Sequence, residues 1–298
     1  MAPRLPRVQA GTGRRRACRS ARGLTPVELK ATRLEIEGHV ATVWLHRPQR
    51  HNAWTGRMHA EYRWLLATLD ADPAIRAIVL TGTPPAFCVG GDSDALAGHA
   101  ERGGYDDGLP ADDARPAAST RPEFRAELAY QLGMRVPVIA AVNGACAGIG
   151  LAVAAWCDLR FASATAKLTT AAPRLGLPAE YGLSWILPRI IGLTRANDLL
   201  LSGRIVTAED TRDWGLWNEV LPDGASALAA AQQYAQRLAT SVAPSSVSAT
   251  KRQIADDLLS SDPSMSVDTS RSLLNTMTGS AEYREGVAAL REKREPRF

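Results

Sequence analysis

The chain has 298 residues, 45% of them apolar, enough for one large domain or two modest ones around a substantial core. Its formal net charge of +4 is unevenly placed: residues 1–23 hold seven arginines and no acid, which leaves 28 basic against 31 acidic residues in the rest. The body is therefore slightly acidic, and it excludes a broad phosphate-binding face, so no nucleic-acid partner is expected.

Residues 1–27 are expected to form a disordered basic tail. This tail lacks the apolar core of a signal peptide, and no apolar run in the chain is long enough to span a bilayer, which predicts a cytoplasmic protein with no membrane partner. The four cysteines, Cys18, Cys88, Cys146 and Cys157, have no metal-ligand or CxxC spacing, and the five histidines form no HxxxH or HExxH pattern. No metal site is expected. Cys88, Cys146 and Cys157 lie in apolar surroundings and are read as small core residues in a reducing compartment.

Along the chain, VATVWLH (40–46), IRAIVLT (75–81), PVIAAV (137–142), DLRFA (158–162) and the segment around LWNEVL (216–221) read as strands. MHAEYRWLLATLD (58–70) places Met58, Tyr62, Leu65, Leu66 and Leu69 on one helical face. Strands joined by crossover helices predict parallel α/β architecture. Residues 97–122 are rich in Gly, Pro and Asp and predict a long loop. From about 225 the pattern turns purely helical, with a start at Pro244 and further segments near 265–278 and 281–292. Such an end suits packing or oligomerisation.

Two Gly-rich turns each follow a strand and precede a helix: PPAFCVGGDSDAL (84–96) and NGACAGIGLAV (143–153). Each offers a backbone N–H at a helix start, where negative charge is favoured. Two amides converging on one oxygen would make an oxyanion hole, suited to a thioester carbonyl that gains charge during reaction. A single glycine cluster is more often a plain tight turn.

In this order and spacing the motifs RPQRHNAW (47–54), AFCVGGD (86–92), PVIAAVNGACAGIG (137–150), CDLRFAS (157–163), LGLPAEYGLSWILPRIIG (175–192) and LLLSGRIVTAEDTRDWGLWNEVLP (199–222) resemble the crotonase (enoyl-CoA hydratase/isomerase) superfamily. The terminal REGVAALREKREPRF (284–298) matches as well. The resemblance covers about 30–298. It implies an α/β fold: a crotonase-like spiral of ββα turns (28–224) that binds an acyl-CoA, with a helical trimerisation region (225–298). The implied partners are an acyl-CoA or enoyl-CoA substrate and further copies of the chain, as a homotrimer or a dimer of trimers. Coenzyme A enters as part of the substrate, and no separate cofactor is implied.

The resemblance also implies site residues. The oxyanion donors fall on the amides of Gly91, beside Gly90, and of Ile149, where relatives commonly have glycine and a bulkier side chain would narrow the acyl pocket. Ala53 matches a backbone that meets the adenine, Asp92 a mostly structural acid, and Lys293 a basic residue that reaches the nucleotide phosphates, often from a neighbouring subunit. Two glutamates used by hydratases of the family fall on Ala152 and Ala172. Water addition needs both an activated water and a proton for carbon, so standard hydration is not expected.

One acid remains. Glu180 in LGLPAEYG falls where relatives of other specificity carry an acid, and its apolar flanks favour a raised pKa and a proton-shuttling role. The plain alternative is a surface glutamate, or one that caps a helix starting near Tyr181. Tyr181, Arg174 and Asp94 are weaker pocket candidates. Isomerisation by a single acid is the leading expectation. Hydrolysis of the thioester with Glu180 as nucleophile or base, and a non-catalytic acyl-CoA-binding protein, stay open.

Overall fold

Each turn of the backbone lays down a long strand, most add a short one, and a helix leads to the next. The computed structural model describes residues 28–104 and 121–298; the basic tail and most of the Gly/Pro/Asp-rich stretch lie outside the described residues. The strands β1 (Thr32–Glu37), β2 (Val40–Leu45), β3 (Ala77–Gly82), β5 (Val138–Val142), β7 (Leu159–Ser163) and the shorter β10 (Glu219–Leu221) pair in that order as a six-stranded sheet. The short strands β4 (Ala86–Cys88), β6 (Ala145–Ala147), β8 (Lys167–Thr169) and β9 (Val206–Thr207) form a second sheet. Pairing is parallel throughout except for β1 with β2 and β8 with β9. All five expected strands are present. The short ones and β1 were not legible, because two to three residues show no periodicity and TRLEIE is largely exposed.

Helix α1 (Gly56–Ala71) starts where the Thr55 hydroxyl accepts the Met58 N–H at 3.2 Å. Its expected apolar face is fully buried, and so are several of its polar residues. Glu61 accepts the N–H groups of Lys30, Ala31 and Thr32 and the Thr32 hydroxyl. Asp70 accepts the N–H groups of Arg135 and Val136. Buried carboxylates thus tie the segments entering β1 and β5 to one helix, which fixes the spiral around it.

Helix α2 (Ser93–Arg102) occupies the start of the stretch expected to be a loop. Asp92 caps it and Gly103, at φ +64°, ends it, so the loop expectation is corrected for 97–102. After α3 (Tyr130–Gly133), helices α4 (Ile149–Ala155) and α5 (Leu183–Ser202) follow the second sheet. Helix α6 (Gly224–Ser241) packs Ala231, Ala235 and Ala239, one row at i, i+4 spacing, against Val79, Ile139 and Ala141 of the large sheet. The first C-terminal helix is therefore joined to the strand body. Beyond it lie α7 (Pro244–Asp257), α8 (Pro263–Met277) and α9 (Ala281–Glu292). Lys251 anchors α7, donating to Val136 O at 2.8 Å and Asp158 at 2.7 Å. Among the described residues no helix is long and apolar enough to cross a membrane.

Candidate active site

The two Gly-rich turns leave neighbouring strands of the small sheet, because β4 pairs with β6. Gly150 permits this closeness: a Cβ there would sit 2.4 Å from the Cys88 carbonyl oxygen. Gly148, at φ +51°, makes the turn into α4. On the other turn, Trp54 donates to Gly90 O at 2.7 Å and Asp92 donates back to Trp54 O at 2.9 Å. That bridge engages the carbonyl before Gly91 and the amide after it, and leaves the Gly91 N–H out. Ile149 is the first residue of α4, so its N–H has no carbonyl one turn earlier to receive it. Gly91 and Ile149 both border one cavity of about 130 Å³.

The same cavity is walled by Gly90, Glu180 and Tyr181. A Cβ on Gly148 would lie 3.8 Å from Glu180 Oε2, which places the carboxyl beside the second turn. Glu180 is half-buried; its carbonyl accepts the Leu183 N–H at 2.9 Å, but its carboxyl makes no hydrogen bond or ion pair among the described residues. Burial raises its pKa above the ordinary 4.5 of a glutamate. The capping alternative does not hold: α5 begins at Leu183, its N-cap is Gly182, and no side chain caps it.

Trp156 aims this loop. Its indole N–H donates to Tyr181 O at 2.8 Å, and a Cβ on Gly182 would lie 2.8 Å from its ring. Trp185 stacks on Trp156 with centroids 5.5 Å apart. Tyr181 itself has φ +48°, and burial holds its phenol protonated, with the pKa pushed up to about 12.

The other expected residues stand outside the cavity. Asp92 is structural: burial works against its charge, but hydrogen bonds from Arg47, the Asp94 amide and Arg50 outweigh it and hold the pKa below the usual range. The Ala53 carbonyl accepts Arg47 Nη1 at 2.6 Å. Lys293 is exposed at the left-handed C-cap of α9. Asp94 pairs with Arg50 at 3.2 Å, and Arg174 is exposed. Ala152 and Ala172 are buried and do not border the cavity. Burial pushes the thiols of Cys88 and Cys157 up to about 12, as befits inert core cysteines, and Cys146 likewise upward; Cys18 lies outside the described residues.

Trp54 and His59, which were not among the expected site residues, also border the cavity. His59 Nε2 lies 2.9 Å from Glu127 Oε2, and Arg63 Nη1 lies 3.2 Å from Glu127 Oε1. A histidine directly after Met58 on the buried face was the available signal, but its partner is 68 residues away.

A family model described as enoyl-CoA hydratase/isomerase matches residues 35–298. A 1,2-epoxyphenylacetyl-CoA isomerase from Escherichia coli is 34% identical over 264 residues, covering 88% of this chain and 96% of that protein. A mevalonyl-coenzyme A hydratase from Beauveria bassiana is 33% identical, covering 87% and 90%. The crystal structure of an enoyl-CoA hydratase from Polaromonas sp. JS666 superimposes with a TM-score of 0.77 at 27% identity, covering 90% of this chain and all of that one. With that match across the spiral and the helical end, the chain belongs to the enoyl-CoA hydratase/isomerase family of the crotonase superfamily.

Proposed function

We propose that the cavity holds the thioester carbonyl of an enoyl-CoA between the amides of Gly91 and Ile149, and that Glu180 moves the proton. The observation behind this reading is a half-buried carboxyl without a partner on the wall that also presents the two amides. Glu180 takes a proton from a carbon conjugated to the thioester, the charge passes to the carbonyl oxygen as an enolate, and the amides stabilise it. Return of a proton to a different carbon moves the double bond. With alanine at positions 152 and 172, water addition lacks its usual pair of acids, so isomerisation is favoured over hydration. Coenzyme A takes part only as the substrate's handle, with the Ala53 backbone at the adenine and Lys293 reaching the phosphates of a neighbouring subunit's substrate.

A panel of acyl-CoA thioesters of varied length and double-bond position, with products identified by mass spectrometry, tests the reading. Double-bond isomers are expected, and hydrated or hydrolysed products as the main outcome would overturn it. The pH profile gives a second check. The base form of Glu180 is required, and burial raises its pKa, so kcat/KM should fall on the acid side with a midpoint above 4.5. A midpoint at or below that value removes Glu180 from the role.

The helical end is proposed to form a trimer or a dimer of trimers. Met265, Val267 and Leu274 on α8 and Leu290 on α9 are exposed, Leu290 by 80%, and such apolar surface marks an interface. Analytical ultracentrifugation at micromolar concentration should show an oligomer; a monomer there refutes it.

A further inference from the structure

Glu180 is not the only proton-carrying side chain on the cavity wall. His59 reaches the same cavity from α1, on a helix that contributes nothing to the oxyanion amides. Its ring is almost wholly buried, and its Nε2 faces the Glu127 carboxylate at 2.9 Å. Glu127 is itself steadied by Arg63 at 3.2 Å, through its other oxygen. Two aromatic rings fix the imidazole plane: Trp54 lies 5.5 Å away at 62° and Tyr181 6.5 Å away at 75°. Tyr181 is the residue after Glu180, so the imidazole and the carboxyl occupy adjoining parts of one wall. A histidine oriented through one nitrogen by a carboxylate keeps the other, here Nδ1, for proton exchange. Nδ1 has no hydrogen-bond partner among the described residues.

Resting on the reading of Glu180 as the base, we propose that His59 is a second acid–base residue of the same reaction, with Glu127 as its positioning residue. Glu180 removes the proton from the conjugated carbon and becomes a carboxylic acid. The protonated imidazole of His59 then gives its proton to the other carbon of the enolate and becomes neutral. Glu180 loses its proton to water and His59 regains one from water, so each turnover leaves both groups as they began. The hydrogen delivered to product comes from solvent, whereas a shuttle by Glu180 alone carries the substrate's own hydrogen.

The isotope follows from this difference. The thioester best isomerised in the panel is turned over in deuterium oxide by the wild type, His59→Gln, Glu127→Gln and Glu180→Gln, and deuterium in the product is read by mass spectrometry. Thermal melts establish that each variant is folded. Wild type should place one deuterium per turnover at the newly protonated carbon. His59→Gln should be slower by about 10²–10⁴-fold and retain mainly the substrate's hydrogen, since a glutamine cannot give a proton. Glu127→Gln should move the isotope ratio the same way by a smaller amount, and it decides the matter if His59→Gln does not fold. An isotope ratio unchanged in these variants, or substrate hydrogen retained by wild type, overturns the role of His59, while loss of turnover in Glu180→Gln preserves that of the base. Failure of wild type to turn over any thioester overturns both.

Discussion

Glu180→Gln should lower turnover of the best thioester by about 10²–10⁴-fold, the cost typical of losing a general base, while affinity for the acyl-CoA should stay within a few-fold. Glutamine keeps the size of the side chain and its ability to hydrogen-bond but takes up no proton at neutral pH. The geometry makes the test clean, since the Glu180 carboxyl has no described hydrogen bond or ion pair to be broken, and the one hydrogen bond of the residue is made by its backbone carbonyl. Stability gives an independent reading of the same residue. Burial raises the folded-state pKa above the unfolded value, so between those two values the folded protein holds more protons and stability declines as pH rises. Above that window the ionised, half-buried carboxylate costs stability and glutamine does not. The variant should therefore melt no lower than wild type at pH 7, with any advantage shrinking as the pH falls below the raised pKa. A variant with full activity would make Glu180 structural. A wild type that binds acyl-CoA tightly and turns over none of the panel would be a non-catalytic binder.

The layout of the spiral was legible because the central strands of the large sheet, β3 and β5, are buried along their whole length and show as apolar runs, VIAAV above all. The small sheet was not legible, although the turns that leave it border the cavity. Its strands are two or three residues long, and they are held by close packing at Gly144 and Gly150, where added Cβ atoms would meet backbone oxygens at 2.4 Å. Glu180 stood out because it is the only acid between Asp158 and Asp198. What aims it was hidden. The clamp is Trp156, which meets Tyr181 and Gly182 from the end of α4. His59 and Glu127 were hidden for the same reason: a pair formed across 68 residues has no local pattern.

Ile149→Pro should cost about 10²–10³-fold in kcat relative to Ile149→Ala, because it removes one donor of the oxyanion hole while alanine retains it. The comparison is fair at this position. Ile149 is the first residue of α4, where proline is favoured: its fixed φ suits the helix and the N–H it lacks has no helical acceptor. Proline also restricts the residue before it to extended backbone. Gly148, at φ +51° and ψ −122°, occupies the mirror image of an extended conformation, which glycine adopts freely. Both substitutions empty the space of a buried isoleucine, only 4% exposed, so both should lose stability, by about 2–5 kcal/mol for the alanine. The packing loss is thus largely common to the pair, and the amide is the difference. Alanine should shift acyl preference toward bulkier groups, since it widens the cavity at the second turn. A folded proline variant that matches the alanine variant in turnover would show that the Ile149 amide does not bind the thioester oxygen, and the oxyanion would then have to rest on Gly91 alone.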